Sequence, residues 1–119
     1  MFNECKALKV IDVSKWNLTK ATSFNSMFKD CQTVKTLVVF KWKTSQVTDM
    51  SHMFDSCLKL TSLTISNFDT SNVNNMSYMF YNCQSIGDVG ILNADTSRVT
   101  DMSYMFANCY AAKEINISR

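Results

Sequence analysis

Five cysteines stand at Cys5, Cys31, Cys57, Cys83 and Cys109, each 26 residues after the one before. A thiolate is a nucleophile and a soft metal ligand, so this set raises zinc binding, disulfides and catalysis as possible chemistries. Zinc sites use ligands paired at short spacing, such as C-x2-C, whereas one thiol per 26 residues gives a single line of sulfurs. Cysteines on neighbouring coils, with Cα atoms about 5 Å apart, could form a disulfide, yet five cysteines cannot all pair. Free cysteine is among the most buried residue types and this column follows an apolar stripe, so buried structural thiols are expected.

His52 is the only histidine. It shares a variable column with Ser26, Tyr78 and Tyr104, which predicts a solvent-exposed position rather than a catalytic one. No Ser-His-Asp or Cys-His arrangement exists apart from the repeating columns, so no enzymatic activity is expected. Asp49, Asp69, Asp95 and Asp101 could line up as acidic ladders. They lack the glycine-rich nonapeptide of calcium-binding coils, and Asp beside Thr and Ser is turn and cap chemistry. No metal and no cofactor are expected. The N-glycosylation motifs at Asn17, Asn75 and Asn116 matter only in a eukaryotic secretory pathway.

These residues belong to an ungapped internal repeat. Met-Phe recurs at Met1, Met27, Met53, Met79 and Met105, and a second methionine column runs through Met50, Met76 and Met102, with Phe24 in its first place. Residues 53–78 and 79–104 are identical at 12 of 26 positions, far above the one or two expected by chance, and a fixed period of 20 to 50 residues marks a repeat architecture. The units are 1–26, 27–52, 53–78 and 79–104, with a partial fifth at 105–119. Together they form one domain.

Composition agrees. The 119 residues include no proline and two glycines, Gly87 and Gly90, which excludes phosphate-cradling and dinucleotide-binding glycine loops. Apolar residues make up 46% and charged residues 18%, too apolar for a disordered chain. No run of 18 apolar residues occurs, so no membrane-spanning helix is expected. A net charge of +2 gives no electrostatic case for nucleic acid. That charge is unevenly spread: residues 1–52 hold eight Lys against four acids, and residues 53–119 hold four basic residues against six acids.

Within each unit two patterns alternate. Leu60, Leu63 and Ile65, with Leu8/Ile11/Val13, Val34/Leu37/Val39, Ile86/Val89/Ile91 and Ala112/Ile115/Ile117, predict a short strand with one buried face. Val73, Met76, Met79 or Phe80, and Cys83 recur at three- and four-residue spacing, which predicts a short helix or 3₁₀ turn. Thr70, Ser71, Thr48, Asn74 and Thr100 supply N-cap candidates. One such unit buries too little apolar surface to offset its own ordering entropy, so the units must stack. The expected fold is α/β: a solenoid of about four and a half coils, with a five-stranded parallel sheet on one face and short helices or 3₁₀ turns on the other. Cys5, Cys31, Cys57, Cys83 and Cys109 are its structural columns, together with Phe28, Phe54, Phe80 and Phe106.

The run L-x-x-L-x-I followed by F-D-T-S-x-V-T-D-M-S-Y-M-F-x-N-C resembles the BspA-like leucine-rich-repeat surface proteins. Asp69 to Val73 with Met79 to Cys83, and Asp95 to Val99 with Met105 to Cys109, carry the likeness, which extends over essentially the whole chain. The first unit departs from it, with Trp16-Asn17-Leu18-Thr19-Lys20-Ala21-Thr22-Ser23-Phe24 in place of F-D-T-S-x-V-T-D-M. The resemblance implies a right-handed leucine-rich-repeat solenoid, a cell-surface or extracellular location, and a role in adhesion or partner binding. An intracellular or virion component is the alternative location.

Variable positions nominate the binding surface. Val38 and Phe40 are apolar on a strand face that should be polar, and Lys15, Lys35, Lys41 and Lys43 surround them. Trp16 and Trp42 share a column with Phe68 and Ala94, and either fill the corner after the strand or anchor a partner. The function expected is a non-enzymatic protein-interaction module. A structural building block whose end coils pack in a larger assembly is the alternative. Nothing resembling a polar cap marks the terminal units, so the expectation includes a longer solenoid or self-association through the end coils.

Overall fold

Each unit contributes one three-residue strand: β1 (Val10–Asp12), β2 (Thr36–Val38), β3 (Ser62–Thr64), β4 (Asp88–Gly90) and β5 (Glu114–Asn116). The computed structural model describes residues 9–39, 42–64, 68–90 and 94–116. All strand pairs are parallel and in 26-residue register, so Ile11 faces Leu37, Leu37 faces Leu63, and Val89 faces Ile115. The alternation read from the sequence survives: Ile11 and Leu37 are buried between more exposed neighbours.

The expected solenoid with a five-stranded sheet and helices is corrected on both faces. The strands form two sheets, β1-β2-β3 and β4-β5, with no pairing between β3 and β4 among the described residues. Both glycines lie at that break, Gly87 just ahead of β4 and Gly90 at its end. Glycine has no side chain to pack across a pleat and loses the most backbone freedom on ordering, so β4 is the least suited of the five to extend the sheet. The described residues measure 32 × 29 × 19 Å, a compact body.

No helix occurs among the described residues; the Met-Ser-x-Met-Phe-x-x-Cys segment is a series of turns. The cause is two left-handed residues per unit: Ser26 and Asp30, His52 and Ser56, Tyr78 and Asn82, Tyr104 and Asn108, all with φ between 56° and 62°. A helix needs consecutive right-handed residues with every N–H along one axis. Here the N–H groups alternate. Met53, Asp55 and Cys57 donate to carbonyls three residues back, at Met50, His52 and Phe54, while Phe54 and Ser56 donate to Met79 and Tyr81 in the next unit. The bridges Ser23↔Asp49, Asp49↔Asn75 and Asn75↔Asp101 carry this turn ladder without a break.

Under the turns runs the core. Phe28, Phe54 and Phe80 are fully buried and stack with Phe106 at centroid separations of 5.8, 5.3 and 5.6 Å. Met50, Met53, Met76 and Met79 fill the space beside them. The cap candidate Thr70, with Thr44 one unit earlier, joins units instead of capping a helix. Thr44 Oγ1 and Thr70 Oγ1 donate to the carbonyls of Asp69 and Asp95 and accept from the N–H groups of the same residues, so each buried threonine joins two units by two bonds.

Candidate functional site

The cysteines are deployed as inter-unit donors. Cys57, Cys83 and Cys109 Sγ donate to the carbonyls of Phe28, Phe54 and Phe80 at 3.2, 3.1 and 3.1 Å. Cys57, Cys83 and Cys109 are free thiols, the first two buried and Cys109 half-buried; Cys31 is buried in the same column, and Cys5 lies outside the described residues. Burial pushes the Cys57 and Cys83 thiols well above the ordinary range, and the neighbouring thiols of the column add to it. A thiol held protonated is a poor nucleophile and a poor metal ligand. Among the described residues no group of three or more Cys, His, Asp or Glu side chains converges on a metal-sized site.

The carboxylates of the supposed acidic ladders are spent on turns. Asp69 Oδ1 accepts from the hydroxyl and N–H of Ser71, and Asp101 Oδ1 accepts from those of Ser103. These bonds, the serine hydroxyl first, hold both carboxyls below their ordinary range; Ser14 does the same for Asp12. Asn75 makes the same pair of bonds to Ser77 without a charge.

His52 is not simply exposed, which corrects the sequence-based expectation. Its Nδ1 lies 2.6 Å from Asp55 Oδ2 and its ring stacks on Tyr78 at 4.6 Å. Asp55 is buried; it also accepts from Ser56 Oγ, and Lys29 Nζ of the preceding unit stands 3.7 Å away. This cluster pins two units together: one imidazole nitrogen is committed to a buried carboxylate and a ring face is covered. Tyr104 continues the stack at 5.0 Å beyond Tyr78. Sequence reasoning passed over this ladder, although three rings in one column at the repeat spacing were a signal for it.

Of the surface candidates, Trp42 is removed from any partner's reach. It is 3% exposed, donates through Nε1 to the Val13 carbonyl at 2.7 Å, and stacks with Phe68. Ala94 is buried in the same column, so this is the corner-filling role. Trp16 differs: it is 38% exposed. It lines an open groove of about 330 Å³ with Ser14, Lys15, Asn17, Leu18, Thr19 and Lys43. The groove exists where the first unit departs from the repeat. Asn17 Oδ1 accepts from both the N–H and the hydroxyl of Thr19, closing a turn of its own. Lys35 is exposed just ahead of β2 and Val38 ends that strand half-buried; neither lines the groove. Phe40 and Lys41 lie outside the described residues. Of the described candidates, the structure therefore gathers Lys15, Trp16 and Lys43 at the groove, places Trp42 in the core and leaves Lys35 and Val38 outside both.

An interrupted corner on a 26-residue repeat is thus the feature that distinguishes one part of the surface from the others. Comparison with known proteins adds a family. The family model described as "Mycoplasma protein of unknown function, DUF285" matches residues 1–118. The chain belongs to that family. No curated protein and no solved structure matches it. Among the described residues no helix is long and apolar enough to cross a membrane.

Proposed function

We propose that this chain is a non-enzymatic protein-interaction module of a surface protein, reading its partner at the Lys15–Trp16–Lys43 groove. The supporting observation is the contrast within one column. Trp42, Phe68 and Ala94 are buried, whereas Trp16 is 38% exposed and shares its groove with Lys15 and Lys43. An exposed indole offers a large, rigid contact surface, and lysines at its rim favour a partner with acidic side chains around an apolar one. The surface location and the adhesive role rest on the resemblance of the repeat motif to BspA-like surface proteins.

The test is attachment of beads carrying the chain to cell monolayers, comparing the wild type with Trp16→Ala and Lys43→Glu. Circular dichroism would establish that the variants remain folded. Loss of an anchoring tryptophan costs about 2 kcal/mol or more, roughly a 30-fold loss of affinity. Lys43→Glu should weaken attachment further at low salt than at high salt. Attachment unchanged in both variants would remove the groove from the interaction.

A further inference from the structure

The ring column on the turn side holds two phenols against each other. Tyr78 and Tyr104 stand 26 residues apart, each at the same left-handed position of its unit, with φ of 57° and 56°. That shared backbone lays one ring over the other: the centroids are 5.0 Å apart and the rings 20° from parallel. His52 stacks on Tyr78 from the preceding unit at 4.6 Å, and its Nδ1 contact with the buried Asp55 fixes it there, so the Tyr78 ring is held from behind. Tyr81 meets Tyr78 differently, edge-on at 63° with the centroids 5.3 Å apart. The Tyr78 hydroxyl makes no hydrogen bond among the described residues, and no buried side-chain oxygen among them lacks one, so this hydroxyl reaches solvent.

We infer that Tyr78 and Tyr104 are a modification site, joined by oxidation into a carbon–carbon-linked biphenol that ties two successive units together. The oxidant is hydrogen peroxide acting through a haem peroxidase. Removal of one hydrogen from each hydroxyl leaves two phenoxyl radicals, whose unpaired electrons extend to the ring carbons ortho to oxygen. One such carbon from each ring forms the new bond, and the hydrogens on those carbons move to the oxygens, restoring both phenols. Two hydrogens leave the protein in all, and one peroxide becomes two waters. Nearly parallel rings in register bring ortho carbons alongside one another, whereas the edge-on approach of Tyr81 points an edge at a face. Competing groups are withdrawn. Thiols react with peroxide in proportion to thiolate character and exposure, but Cys57 and Cys83 are buried and held protonated. Tyr110 is 73% exposed, yet it has no ring partner among the described residues.

The test is treatment of the full chain with peroxidase and hydrogen peroxide, followed by trypsin and mass spectrometry. Cleavage after Lys59, Arg98 and Lys113 puts Tyr78 and Tyr81 on residues 60–98, and Tyr104 and Tyr110 on residues 99–113. The expected product is these two peptides joined, lighter than their sum by two hydrogens, with fragment ions placing the link at Tyr78 and Tyr104. Its yield should not change on dilution, because the bond forms within one chain. Tyr78→Phe and Tyr104→Phe keep the stacked rings and should each abolish it, while Tyr81→Phe and Tyr110→Phe should leave it intact. Oxidation of Met102 or Trp16 adds oxygen and is told apart by mass. Absence of the joined peptides from the oxidised wild type, a link confined to residues 60–98, a yield that falls with dilution, or a product that survives Tyr104→Phe would each overturn the inference.

Discussion

The turn side and the strand side of this molecule are built from the same 26-residue period, yet only one runs unbroken through the described residues. On the turn side the ladder passes from Ser23 through Asp49 and Asn75 to Asp101, with the phenylalanine stack beneath it. On the strand side, three-residue strands pair in two separate groups. The difference lies in what each rung offers. A turn rung combines alternate N–H donors, a buried ring, a cysteine and a threonine staple, whereas a strand rung offers a few peptide bonds and one buried aliphatic residue. Register is therefore held by the turns, and the sheet divides beside the strand that carries the two glycines.

The largest test removes a ring from the continuous side. Phe54 is fully exposed to core packing and not to solvent, stacked between Phe28 and Phe80, so Phe54→Ala should cost about 3 to 5 kcal/mol in a urea melt. Leu63→Ala, at a half-buried strand position, should cost clearly less. Equal losses would break the contrast between the two sides.

Next comes the threonine staple. Thr70→Val keeps the shape but leaves the half-buried Asp95 N–H and carbonyl without this partner, at a cost of about 1 to 3 kcal/mol. Hydrogen exchange at the Asp95 amide would read the loss locally.

A smaller change with the opposite sign addresses the strand side. A Cβ at Gly87 meets nothing within 4 Å, so Gly87→Ala should stabilise the protein by about 0.4 to 1 kcal/mol by restricting the unfolded chain. Thermal melts of Gly87→Ala and of the wild type would show it. A destabilised variant would mean that the break in the sheet has a cause other than glycine.

The smallest effect is at Asp101. At neutral pH Asp101→Asn should leave stability little changed, because Asn75 makes the same two bonds in the same column. Acid should separate the two proteins. A carboxyl held below its ordinary range in the folded state stabilises fully above the unfolded value of about 3.9, and that contribution disappears as pH falls through the lower folded value. The melting temperature of the wild type should therefore drop below about pH 4 more steeply than that of Asp101→Asn.

The columns were legible in the sequence because a period states which residues share a line. Phe28, Phe54 and Phe80, Cys57 and Cys83, and the strand centres Ile11 and Leu37 are buried where the repeat puts them. The aspartates were also legible as turn residues, since a carboxylate two positions before a serine closes a local ring of hydrogen bonds. His52 was not, because its partner Asp55 and the stacked Tyr78 come into reach only when the turn places a left-handed residue at position 52.

By itself, then, the sequence determined the period, the parallel register and the identity of the core columns, because all three depend on side-chain type and spacing alone. Tertiary structure decided the rest. Three- and four-residue apolar spacing is common to a helix and to a run of turns, and what separates them is the direction of alternate peptide N–H groups. Serine, histidine, tyrosine and asparagine at positive φ turn those groups toward the next unit, with no glycine to announce the bend. The same holds for the two tryptophans of one column: Trp42 is covered through its bond to Val13 and its stacking on Phe68, and Trp16, in the corner that departs from the repeat, is 38% exposed.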